Sequence, residues 1–131
     1  MEKEIIRVGK LTEAIEKANV PISTVVKGGG LVFVSGMPPI DKDTGEFQLN
    51  TDIGSQTRHC MENVKACLEA AGTSLDKVLK VTIYAANAAH FGAINAIYQE
   101  YFSSGPPART FVGVGAWPVA FDLEVECVAL A

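Results

Sequence analysis

An α+β fold is what this sequence predicts: a single mixed β-sheet with two long helices packed on one face. Three observations carry that prediction. Residues 53–71 and 89–102 place apolar side chains at three- and four-residue steps. Five or six shorter runs are β-branched and apolar, and glycines or prolines punctuate them. The chain has 131 residues, 48% hydrophobic and 20% charged, which suits a single domain spanning residues 1–131 and leaves no room for a second.

In chain order, KEIIRV at 3–8 reads as a short strand and 12–18 as a brief helical turn that Pro21 stops. Residues 23–27 and 31–35 are strand-like and are joined by Gly28-Gly29-Gly30, a hairpin signal because glycine tolerates the positive φ of a tight turn. Pro38-Pro39 ends the second strand, and DKDTGEFQLNTD is polar and turn-rich, a surface loop. Ile53, Cys60, Met61, Val64, Cys67, Leu68 and Ala71 form one helical stripe, with Gly72 placed to terminate it. Residues 78–86 (VLKVTIYAA) have strand composition, and Phe91, Ile94, Tyr98 and Tyr101 mark the second long helix, which Ser103 to Pro107 stop. Residues 109–114 and 121–130 close the chain as strands around a turn containing Gly115 and Pro118.

The strands carry apolar residues in both phases, Leu31 and Phe33 as well as Val32 and Val34, so the helix-free face of the sheet needs a cover. Self-association around a closed symmetric core supplies one. Other classes are disfavoured. Eleven Lys plus Arg against fifteen Asp plus Glu give a net charge of −4 with no basic block, which argues against nucleic acid. The start MEKEIIRVGK has no secretory apolar region, and no apolar run reaches the ~18 residues of a membrane span, so the expected location is the cytoplasm. Cys60, Cys67 and Cys127 have no metal-like spacing and are expected as buried, reduced thiols.

Alternation in the last strand puts Leu123, Val125, Cys127 and Ala129 on one face and Glu124 and Glu126 on the other. Antiparallel pairing with the preceding strand across the 115–120 turn places Arg109 opposite one of these carboxylates. Two readings remain open on spacing alone. One is a cross-strand ion pair that contributes little. The other is a small site in which Arg109 clamps a substrate carboxylate with its planar fork and Glu124 orients or deprotonates a water. Trp117, in the same turn, is a packing anchor or a lid. Asn95 lies on the apolar stripe of its helix, where it caps backbone groups or touches substrate. His59 and His90 receive no role, and the glycine triplet lacks the context of a phosphate-binding loop.

The strings LVFVSGMPPIDKDTGE, NVKACLEAAGTSLDKVLKVTIY, FGAINAIYQEYF, PPARTFV and FDLEVECVAL resemble the RidA/YjgF family of enamine/imine deaminases, in the family's order and across almost the whole chain. The resemblance implies a chorismate-mutase-like fold, a homotrimer with active sites in clefts between subunits, and no metal or organic cofactor. It places the carboxylate-binding arginine on Arg109 and the water-positioning acid on Glu124. Ser35 and Gly36 match the family's Ser-Gly at a strand end, and Asn95 its helix asparagine. Two departures retune the pocket: no tyrosine stands around residues 22–24, and Phe111 stands where many members have cysteine. The segments MEKEIIRVGKL, GMPPID and VGAWPVAFDLEVECVA look like the 2-aminomuconate deaminase subgroup. The implied reaction is hydrolysis: an enamine tautomerises to an imine, water adds to the C=N carbon, and ammonia leaves, a sequence that positioning and one acid/base group can support. A second substrate carboxylate would need a further donor, with Ser35, the backbone near Gly36 and Asn95 as candidates. Two alternatives stand beside 2-aminomuconate: a broad imine deaminase acting on small 2-imino acids, and a non-catalytic trimeric module holding small carboxylates.

Overall fold

The computed structural model describes residues 2–131. The elements in chain order are β1 (Glu4–Ile6), α1 (Gly9–Lys17), β2 (Val25–Gly28), β3 (Leu31–Met37), α2 (Ile53–Ala70), β4 (Val78–Ala85), α3 (Phe91–Tyr101), β5 (Ala108–Gly113) and β6 (Leu123–Leu130), with short 3₁₀ turns before β4 and α3. All six strands form one sheet in the order β1-β2-β3-β6-β4-β5. Every neighbouring pair is antiparallel except β4 and β5. The predicted α+β architecture is therefore present, and α1 adds Leu11, Ala14 and Ile15 to the core that α2 and α3 build on the sheet.

Local chemistry explains the elements. Gly28 pairs with Leu31, so Gly29 and Gly30 are the two turn residues of the β2–β3 hairpin, and both have positive φ, +62° and +79°. Asp52 caps α2 by accepting the Ser55 N–H. At the other end Gly72 takes φ +81°, its N–H donates to Glu69 O, and Thr73 N–H reaches back to Leu68 O, the double closure that left-handed glycine permits. The stripe Cys60, Met61, Val64, Cys67 and Leu68 is buried, as its spacing predicts. Val25, Val32, Val81, Ile83, Leu123 and Val125 meet it from the sheet. The three cysteines are buried thiols, and burial pushes Cys67 and Cys127 up to about 12.

The β3–β6 ladder contains one irregularity that shapes the site. Val34 pairs with Cys127 and Met37 with Val125, so three steps on β3 oppose two on β6. The extra residue is a bulge at Ser35-Gly36. Without it Val34 and Met37, an odd number apart, would face opposite sides; with it both are buried against the helices. The opposite face bears Phe33 and Leu130, both close to half exposed.

The last two strands correct the sequence expectation. They do not pair. β5 follows α3 in a strand–helix–strand crossover and lies parallel to β4 at the sheet edge, with Arg109 beside Val81. β6 enters between β3 and β4. The 114–122 connection is no hairpin turn: Val114 N–H donates to Ala85 O and Ala86 N–H to Asp122 O, so it steps over the end of β4.

Candidate active site

The side chains predicted to act together fall into two groups. Directly paired residues in a sheet share a face. Arg109 pairs with Val81 and Val81 with Cys127, so Arg109 projects to the helix face. Glu124 pairs with Tyr84 and projects to the other. Arg109 consequently stands opposite neither Glu124 nor Glu126, and the cross-strand ion pair is absent: the only salt bridges among the described residues are elsewhere.

On the helix face, Phe91, Asn95 and Tyr98 are spaced by four and three residues and so present one side of α3 to β5. Arg109 Nη1 donates to Asn95 Oδ1 at 2.7 Å. Its guanidinium carbon lies 4.8 Å from the Tyr98 ring centre and 5.6 Å from that of Phe91. Phe111 meets Phe91 edge-on at 5.0 Å. Asn95 therefore holds the arginine and does not cap the backbone. The stacked, hydrogen-bonded guanidinium is preorganised, and its remaining N–H groups form the fork that suits a carboxylate.

On the opposite face, the bulge brings Gly36 against Glu124. A Cβ built on Gly36 would lie 2.5 Å from Glu124 Oε1, so only glycine lets this carboxylate occupy its place. Ser35 anchors the bulge, its Oγ donating to Ser23 O at 2.6 Å and its N–H to Thr24 O at 3.0 Å. Burial, and then the charge of Glu126, raise Glu124 to about 7. Tyr84 donates to Glu126 at 2.6 Å, and that hydrogen bond holds the phenol above its ordinary range. Trp117 packs on Phe121 with ring centres 4.8 Å apart and borders two clefts that share Glu124. One, about 380 Å³, runs toward Ile22 and Phe47. The other, about 350 Å³, is bounded by Tyr84, Gly115 and Glu126. Trp117 is thus both anchor and wall.

A group that titrates near neutral pH can take a proton from water and return it to a leaving amine. Gly36→Ala tests the geometry. The clash is with the end of a flexible side chain, so thermal stability should change little, while the displaced Glu124 should lose more than tenfold in kcat; an unchanged kcat would show that this contact does not set the carboxylate's position.

Sequence reasoning missed Tyr84, Phe91 and Tyr98. Tyr84 emerges only from the long-range β4–β6 register, but Phe91 and Tyr98 were legible as the helical neighbours of Asn95. Among the described residues no three His, Cys, Asp or Glu gather as a metal site, and no helix is long and apolar enough to cross a membrane.

Comparison with known proteins gives a consistent picture. Residues 12–131 match the profile of the family described as Endoribonuclease L-PSP. A RutC family protein of Pyrococcus horikoshii is 42% identical over 127 residues, 97% of either chain. Reactive Intermediate Deaminase A of Arabidopsis thaliana, a chloroplastic protein, is 33% identical over 98% of this chain and 66% of its own length. The crystal structure of E. coli TdcF with bound serine superposes with a TM-score of 0.83 at 32% identity, covering 98% of both chains.

Proposed function

Since the chain belongs to the Endoribonuclease L-PSP family, whose RutC and Rid members include a reactive intermediate deaminase, we propose that it deaminates enamines and imines of 2-amino acids by hydrolysis. The observation that carries this reading is Glu124, a half-buried carboxylate raised to about 7 beside a gap that only glycine leaves open.

The enamine is the conjugate tautomer of an imine. Glu124 accepts a proton from water as the water oxygen bonds to the C=N carbon and passes it to the nitrogen, giving the neutral carbinolamine. Glu124 then takes the carbinolamine hydroxyl proton as the carbonyl forms and delivers it to the departing nitrogen, releasing ammonia and leaving the 2-oxo acid. Atoms balance as imine plus water giving ketone plus ammonia. Arg109, set on Asn95 and Tyr98, binds the substrate carboxylate. Because Arg109 and Glu124 lie on opposite faces of one sheet, a second copy must supply one of them. A homotrimer with sites between subunits meets that need and covers Phe33 and Leu130 on the helix-free face. Ser35, Gly36, Phe111 and Trp117 complete the substrate's surroundings. The bound serine in TdcF supports a small carboxylate ligand for this chain too.

Within this substrate class, the resemblance of the 114–129 segment to 2-aminomuconate deaminases nominates 2-aminomuconate; small 2-imino acids are the broader alternative. Ammonia release by the purified protein is to be compared for enzymatically generated 2-aminomuconate and for enamines formed by serine or threonine dehydration. Turnover of 2-aminomuconate alone would establish a dedicated enzyme, comparable rates a general one. Ligand binding without turnover of any of them would replace the enzyme with a binding module.

A further inference from the structure

In the helix layer, where the sheet meets α2, one side-chain amide is tied to two distant segments of the chain. Gln56, in the first turn of α2, is fully buried. Its Nε2 donates to Thr51 O at 2.8 Å and to Asp122 Oδ2 at 2.9 Å, and its Oε1 accepts the Asp122 N–H at 2.8 Å. Asp122 O in turn accepts the Ala86 N–H at 2.9 Å. Asp122 is therefore held at its N–H, its carboxylate and its carbonyl, by α2 on one side and the end of β4 on the other. β6 begins at the next residue, and Glu124 follows. These partners leave one chemistry for position 56. A backbone N–H donates, while a carboxylate and a carbonyl accept, so one short planar group must offer both an acceptor and two donors, which is what an amide does.

We propose that Gln56 is a positioning residue of the deaminase: through Asp122 it fixes the start of β6, and with it the Glu124 carboxylate. The inference rests on the deaminase reading and deepens it. Asp122 and Glu124 are two steps apart, roughly 7 Å of extended chain, too short a span to absorb a shift at the clamp. The acid has little slack at its other end, because its Oε1 fills the space in which a Cβ on Gly36 would stand. A misplacement of about 1 Å in such a group costs on the order of a hundredfold in rate. Substrate binding is spared, since Arg109 is set by Asn95 and Tyr98 on α3. The clamp lies within one chain, so it acts on Glu124 whichever copy supplies the arginine. The far end of β6 has its own anchor: Thr73 Oγ1 donates to Leu130 O at 2.7 Å. Releasing that bond frees the strand where no acid depends on it.

The test compares Gln56→Leu, Asp122→Asn and Thr73→Val with wild type by steady-state kinetics and thermal unfolding. The substrate is whichever of 2-aminomuconate and the serine- or threonine-derived enamines wild type deaminates fastest. Gln56→Leu keeps a side chain of similar size and removes every hydrogen bond of the amide, and kcat is expected to fall about tenfold or more with KM changed less than about twofold. Asp122→Asn keeps the N–H and an acceptor oxygen and is expected to retain kcat within about threefold. Thr73→Val removes a buried hydroxyl from the other end of the strand; it is expected to lower the melting temperature and to retain kcat within about twofold. A role in fold support alone would make the losses in kcat follow the losses in melting temperature across the three variants. That result, or a Gln56→Leu protein with wild-type kcat or with its loss confined to KM, would overturn the assignment while leaving the deaminase intact. Should Gln56→Leu not fold, Asp122→Ala removes the carboxylate and leaves the N–H to Gln56. Its kcat is expected to fall about threefold or more at unchanged KM, and a wild-type kcat there would overturn the assignment. No turnover of any of these substrates by wild type would overturn the deaminase reading, and this assignment with it.

Discussion

Glu124→Gln should abolish most ammonia release, lowering kcat by about 10²–10⁴-fold, the range expected when a positioned acid/base group is lost. Substrate affinity should survive, because the amide keeps the shape of the carboxylate and Arg109 is untouched. Single-turnover measurements with an equilibrium binding assay separate the two effects. Equal loss of binding and rate would reassign Glu124 to substrate holding, and unchanged rates would remove it from the chemistry. The same variant carries a stability signature. In the folded chain Glu124 binds its proton more tightly than in the unfolded chain, where its value is near 4.5. Its favourable contribution is therefore complete below about 4.5 and is lost as pH rises through about 7. Thermal unfolding of Glu124→Gln and wild type should coincide at pH 4, and the variant should melt higher at pH 8, where burial and Glu126 penalise the wild-type charge. A variant that melts lower at pH 8 would contradict that origin of the shift.

Arg109→Ala is the second large effect. Removing a bidentate, charge-assisted carboxylate contact costs about 1.5–3 kcal/mol for each hydrogen bond to a charged group, so kcat/KM should fall by at least a hundredfold. The proposed trimer should persist, because Arg109 bonds within its own chain to Asn95 and stacks on Tyr98. Arg109→Lys should restore little, since an ammonium offers neither the fork nor the flat face that Tyr98 supports. Steady-state kinetics beside size-exclusion chromatography decide the matter: an unchanged rate in an intact oligomer would remove Arg109 from substrate binding.

Where local chemistry decides, the sequence was legible. Gly29 and Gly30 announced their hairpin because two positive φ angles are needed there, and Gly72 its helix end for the same reason. The phase of Glu124 and Glu126 against Leu123, Val125 and Cys127 followed from strand alternation alone. The sheet order did not follow, because nothing local tells β6 to pass over its neighbour in sequence and insert between β3 and β4. That one long-range step moved Arg109 away from Glu124, although the strand–helix–strand order of β4, α3 and β5 already signalled a parallel pair. Arg109 and Glu124 were named together from the sequence, and the structure places them on opposite faces of the sheet. The bulge at Ser35-Gly36 escaped for a related reason: Val34 and Met37 reveal it only when matched to Cys127 and Val125.

The placement of the arginine and the acid on opposite faces of one sheet also has a genetic consequence. If each site joins the arginine of one copy to the acid of another, two defective alleles can complement. Chains carrying Arg109→Ala and chains carrying Glu124→Gln, inactive apart, would on co-assembly in equal amounts rebuild about a quarter of the sites with both groups intact.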